Sequence, residues 1–147
     1  MRKYVLIFLI LLTNHALSNE LKPFITDYCT MFVDGTPTNP NLWKHCCIEH
    51  DIHYWYGGSL KDQDITDLKL KSCVEAAAGT YWADIIYLGV RAGHYSPVKN
   101  VHKWSWGWEQ QRKKIEISDK EKLYVIEEIR KLPLDTEQLN RYIKNNF

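Results

Sequence analysis

The 147-residue chain predicts a mainly α protein in which a pair of disulfide-linked antiparallel helices is followed by additional C-terminal helices. Three observations carry this. Apolar residues recur at helical spacing between clear glycine and proline stops. All four cysteines lie in the first half, two of them adjacent, at Cys46 and Cys47. The second half holds two helix-capping patterns ahead of amphipathic runs.

The chain opens with Met1, Arg2 and Lys3, then an uncharged run from Tyr4 to Leu12, then Ala16, Leu17 and Ser18. A basic start, a short apolar stretch and a small-residue exit predict a secretory signal peptide over residues 1–18, too short to span a bilayer. The protein is therefore expected to be secreted or periplasmic. Cleavage after Ser18 would leave 129 residues with 17 basic and 18 acidic side chains. That length suits one domain, 19–147, whose last part, about 117–147, reads as a helical extension. The near-neutral balance gives no reason to expect a nucleic-acid partner.

Residues 19–41 read as an entry segment, because Pro23, Asp34-Gly35, Pro37 and Pro40 interrupt any helical period. Leu42 to Tyr56 predicts the first helix, stopped by Gly57-Gly58. Asp62 or Asp64 is expected to cap the second, which runs to Gly79. Tyr81 to Val90 contains only Asp84 as a charge and predicts a third, buried helix or a continuation of the second. Gly93 to Gly107 is irregular and aromatic. Ser118 and Glu121 form a capping box for a helix ended by Pro133, and Asp135 caps a last one through Tyr142.

Neighbouring side chains on a helix point about 100° apart, so Cys46 and Cys47 are poorly placed to bond each other. Export favours a disulfide framework, and two of the three pairings remain open. In either, one sulfur reaches Cys29 and the other Cys73. A zinc site from Cys46, Cys47, His50 and His53 is the weaker reading, since the cysteines diverge and no second pair stands at finger spacing.

Cys46, His50 and Tyr54 are four apart and share one stripe. A bridge to Cys73 would make the two helices antiparallel neighbours and bring Asp67 toward His50. An imidazole held by a carboxylate on one nitrogen can act as a base on the other. Asp51 turns the other way, toward the entry loop and Asp27, where carboxylate and carbonyl oxygens suit calcium.

"CCIEHDIHYWYGG" at residues 46–58 and "DLKLKSC" at 67–73 resemble the signature of the secreted phospholipase A2 superfamily, bacterial type, with a divergent calcium loop. The resemblance covers about residues 25–78. It implies a phospholipase A2-like helix pair and the bridges Cys29 to Cys47 and Cys46 to Cys73. It further implies calcium-dependent hydrolysis of the sn-2 ester of glycerophospholipids. His50 would activate water, Asp67 would orient it, and Tyr54 would support Asp67. Asp51 would bind Ca2+ with Asp27 and the Tyr28 carbonyl, Asp34 and Gly35 being an alternative loop contribution. The implied partner is a phospholipid membrane surface or micelle, met by a monomer. Many relatives carry one more disulfide, whose two positions hold His53 and Thr66 here.

Trp104, Trp106 and Trp108 alternate and could form one lipid-facing side, with Lys99, Lys103, Arg112 and Lys113 toward anionic headgroups. The favoured reading is that they close the core beneath the C-terminal helices. His45, His53, His94 and His102 read as surface or satisfied residues.

Overall fold

The computed structural model describes residues 19–95 and 102–147, so the expected signal peptide and Lys99 lie outside the described residues. Five helices follow in order: α1 (Lys44–Tyr56), α2 (Leu60–Ala78), α3 (Thr80–Tyr95), α4 (Asp119–Arg130) and α5 (Thr136–Asn146). No helix among these residues is long and apolar enough to cross a membrane.

α1 has no side-chain cap at its start. Trp43 anchors it instead, fully buried, with its indole N–H donating to the Val33 carbonyl at 2.7 Å. The helix ends at Gly57, whose φ of 68° favours glycine. α2 begins earlier than expected. Asp62 does not cap it but sits three residues inside, returning its carboxylate to the Ser59 N–H at 2.8 Å while Ser59 Oγ accepts from Asp62 N. Asp64 is likewise inside the helix. The reciprocal box makes Ser59 the cap, which is why only Gly57 and Gly58 stand between the end of α1 and the cap of α2.

α3 corrects the expectation of a buried helix. It runs five residues further, to Tyr95, and buries only Ala83 and Ile86, while Tyr81, Leu88 and Tyr95 are 70%, 65% and 84% exposed. Asp84 apart, the segment is apolar, and composition alone does not say how many sides are covered. Among the described residues its buried face meets the core around Trp43, Leu70 and Val74.

Two disulfides are present, Cys29–Cys47 and Cys46–Cys73. Contacts from α1 to α2 pair 46 with 73, 50 with 67 and 54 with 63, so the two helices run in opposite directions. α1 is shared between two cores. Cys46 and Cys47 join Cys29, Trp43, Leu70 and Val74 on one side. Ile48, Ile52, Trp55 and Tyr56 join Trp108, Val125, Ile129 and Tyr142 of the C-terminal part on the other. Each such buried side chain contributes about 1.5–3 kcal/mol. The expected caps Ser118 and Asp135 start α4 and α5.

The tryptophan segment closes the end of α1. A helix leaves its last carbonyls without intrahelical partners. Here the Tyr54 carbonyl accepts from Ser105 N at 2.8 Å, Trp55 from Gly107 N at 2.8 Å, and Tyr56 from the Trp108 indole at 2.8 Å. Trp104 donates to the Gly58 carbonyl at 2.9 Å. Arg112, weighed above for headgroups, instead forms an ion pair with Glu121 and lies over the Trp108 ring.

Gly107 lies in close contact across this seam, because a Cβ there would fall 2.1 Å from the Trp55 ring. Gly107→Ala is expected to destabilise the fold by about 1–3 kcal/mol, read as a lower urea midpoint. An unchanged midpoint would mean the segment does not close on α1 as described.

Candidate functional site

His50, Asp67 and Tyr54 meet between α1 and α2. His50 Nε2 lies 3.0 Å from Asp67 Oδ1, and the Tyr54 hydroxyl donates to the same oxygen at 2.8 Å. A carboxylate only accepts, so the proton of neutral His50 belongs on Nε2. Nδ1 is then the basic nitrogen, and it has no hydrogen-bond partner among the described residues. Asp67 is fully buried. A buried carboxylate is costly unless well supplied with donors.

Two polar side chains come from α3, where the sequence reading had placed none. Arg91 NH1 and His94 Nε2 each lie 3.2 Å from Asp67 Oδ2, and Arg91 also pairs with Asp64. His94 Nε2 is 2.6 Å from the Tyr54 oxygen. Since that hydroxyl gives its proton to Asp67, His94 is the donor, with its proton on Nε2. Gln63 Nε2 approaches Tyr54 at 3.4 Å and is oriented by Lys114, which donates to its Oε1 at 3.1 Å. Charge-assisted hydrogen bonds of this kind contribute about 1.5–3 kcal/mol each.

These contacts set the charges. Burial pushes Asp67 upward, but hydrogen bonds from His50 and Tyr54 more than offset it, and the carboxyl titrates below its ordinary range. Burial, then the Asp67 charge, raises the Tyr54 phenol, so it stays a neutral donor. Burial lowers His94 despite Asp67, with Arg91 and Lys114 adding to the effect.

His50 also lines a cavity of about 40 Å³ with Glu49, His53, Thr66, Lys69 and Tyr142. A second, of about 300 Å³, shares His53, Lys69 and Asn146 with it and reaches Ile65, Ile117 and Phe147.

His53, read above as surface or satisfied, is half-buried and stacked 5.8 Å from the Trp104 ring. Burial lowers it to about 3, with Lys69 and His50 adding and Asp62 opposing. The unfolded chain takes up this proton near the ordinary histidine value of 6.5, whereas the folded chain resists it until about 3. Stability from this group is complete above the first value and lost as pH falls toward the second. His53→Phe should therefore flatten the acid limb of a plot of urea midpoint against pH, on the order of several kcal/mol. Parallel wild-type and variant limbs would remove His53 as the cause.

Asp51 faces the opposite way and is 5% exposed. Its Oδ2 accepts from the Thr26 hydroxyl at 2.6 Å. Burial pushes the carboxyl up to about 7, against the Thr26 bond and with the Asp27 charge adding. Asp27, Asp51 and His102 each present one ligand atom, all within 4.8 Å of one another.

The other calcium candidates are placed differently. The Tyr28 N–H donates to Thr26 Oγ1 at 2.9 Å, and its carbonyl accepts from Thr30 N at 3.1 Å. The Asp34 carboxylate accepts from Cys29 N at 2.9 Å. Gly35 lies against the turn at Thr36–Asn39, where a Cβ would meet the Asn39 carbonyl at 2.1 Å. Asp51 and Asp27 thus fit a divalent cation. Gly35 makes no described contact with them.

Arg91 and His94 around Asp67, Gln63 against Tyr54, and Thr26 and His102 around Asp51, were missed in the sequence. Arg91 and His94 stand three apart on one helix face, a readable signal once α3 is carried past Gly93. His102 carries no local signal. Cys46 and Cys47 are both disulfide-bonded, which removes them as zinc ligands.

Fold and site together define a mainly helical, disulfide-bonded protein with a buried His–Asp–Tyr network and a neighbouring carboxylate pair. No family model, curated protein or solved structure matches the chain.

Proposed function

We propose that the protein is an exported ester hydrolase, secreted or periplasmic, that releases the sn-2 acyl chain of glycerophospholipids at a membrane or micelle surface. The observation that carries this reading is the 3.0 Å contact from His50 Nε2 to a fully buried Asp67, which leaves Nδ1 as the base. His50 Nδ1 takes a proton from water as the oxygen attacks the ester carbonyl, then returns it to the departing alkoxide. Asp67 fixes the ring and its tautomer. Tyr54, His94 and Arg91 hold Asp67 in place.

Asp51 and Asp27 are the residues that would hold the calcium implied by the phospholipase A2 resemblance. Bound there, the ion would polarise the ester carbonyl and offset charge on its oxygen. The protein acts as a monomer in this reading.

The test is fatty-acid release from mixed phospholipid vesicles labelled at the middle ester, with calcium and with chelator. Release that chelator suppresses is expected. No release in either condition would reject the hydrolase. One observation favours a second reading, a noncatalytic binding module of the same build: Gly35 is held in a separate turn, which leaves the loop short of oxygen ligands. Vesicle binding without acyl release would select it.

A further inference from the structure

We propose that Asp27, Asp51 and His102 form a site for a borderline divalent transition ion of the zinc class, in preference to calcium. The inference rests on reading Asp51 and Asp27 as cation ligands and changes which ion they select.

The first ground is a buried carboxyl with a single protein donor. Asp51 is more than nine-tenths buried and has no ion-pair partner among the described residues; its one hydrogen bond, from Thr26, goes to Oδ2. Buried charges are normally paired or bound to metal. Its Oδ1 has no hydrogen-bond partner among the described residues.

The second ground is the chemistry of the third donor. His102 Nδ1 lies 3.6 Å from Asp27 Oδ1, and the three ligand atoms fall within 4.8 Å of one another. Zinc binds imidazole nitrogen and carboxylate oxygen at about 2.0–2.2 Å, so a small closure of this triangle brings all three into its shell. Calcium takes six to eight oxygens, and here an imidazole occupies one direction of approach. The Tyr28 carbonyl already accepts from Thr30 N, and Gly35 lies in another turn.

The third ground is support behind the ligands. The His102 ring stacks on Trp106 at 5.5 Å, and Trp106 stacks on Phe24 at 6.5 Å. Thr26 fixes Asp51 and Thr30 donates to Asp27 Oδ1 at 2.7 Å. Such outer contacts hold ligand orientation. Three protein ligands leave an open position for water or a substrate oxygen.

The experiment uses the full, disulfide-intact protein, stripped with chelator and titrated calorimetrically with Zn2+ and Ca2+, and optically with Co2+. One equivalent of zinc is expected to bind, roughly tenfold or more tighter than calcium, with both His102→Gln and Asp51→Asn weakening it roughly tenfold or more. Co2+ should give the intense visible bands of a low-coordinate site with a nitrogen ligand. That spectrum is read on the wild-type protein, so it stands even if a variant misfolds. His45→Ala is the control and should change nothing, because His45 lies beside the Cys46–Cys73 bridge.

Tighter calcium binding that ignores His102→Gln but needs Asp51 overturns the inference and leaves the calcium reading standing. Zinc affinity unchanged by His102→Gln also overturns it. Affinities for both ions that ignore Asp51→Asn, or no binding at all, remove the cation reading and this inference together. Neither result touches the His50 test, which is read separately from acyl release.

Discussion

His50→Ala is expected to lower fatty-acid release by about a thousandfold, within the range of 10²–10⁴ for a positioned general base. The fold should survive. Removing the imidazole leaves Asp67 with Tyr54 and Arg91 as donors, so the buried carboxylate is not orphaned. The loss should appear in kcat more than in KM, because the proton is transferred only in the transition state. Asp67→Asn gives the companion result. It removes the charge that holds the Nε2–H tautomer, and activity should fall again without a new binding defect. Wild-type rates in His50→Ala, with a wild-type melting curve, would end the case for this base.

Loss of the Cys46–Cys73 bridge is expected to be the largest single cost to stability. The bond closes a sequence separation of 27, against 18 for Cys29–Cys47. Chain entropy assigns about 3.5 kcal/mol to the first and about 3 kcal/mol to the second, large beside a total of about 5–15 kcal/mol. The paired substitution Cys46→Ser with Cys73→Ser should therefore lower the urea midpoint more than Cys29→Ser with Cys47→Ser. The two differ further in what they release. Cys46 and Cys73 tie α1 to α2 one turn from the His50–Asp67 contact, so the first variant should also lose acyl release while still folded. A small midpoint change, or full activity in the folded variant, would show that packing of Leu70 and Val74 holds α1 to α2 unaided.

Much of the helical outline was legible because its signals are local. Ser118 with Glu121, Asp135, and the stops at Gly57 and Gly79 each act through a backbone group within a few residues. Ser59 was equally local but was passed over for Asp62, because an acidic residue near a helix start satisfies the cap and the third position alike. α3 was misread for another reason. Its apolar run says that burial is affordable on every side, whereas the neighbours decide which side receives it.

The site divides the same way. Cys46, His50 and Tyr54 on one stripe, and Asp67 six residues before Cys73, could be read from helical spacing. His94 and Arg91 could not be joined to Asp67 until α2 and α3 were packed together. His102 reached Asp51 only through the path of the tryptophan segment.

By itself, then, the order of residues determined that this chain is helical, where most helices start and stop, and that adjacent sulfurs must part to different partners. Those follow from dihedral preferences and hydrogen bonds spanning four residues or fewer. Only the tertiary structure decided that Arg91 and His94 join His50 and Tyr54 around Asp67, that Asp51 faces His102, and that one side of α3 is bare. Long-range contacts depend on which surfaces exclude water together, and no short stretch of sequence contains that information.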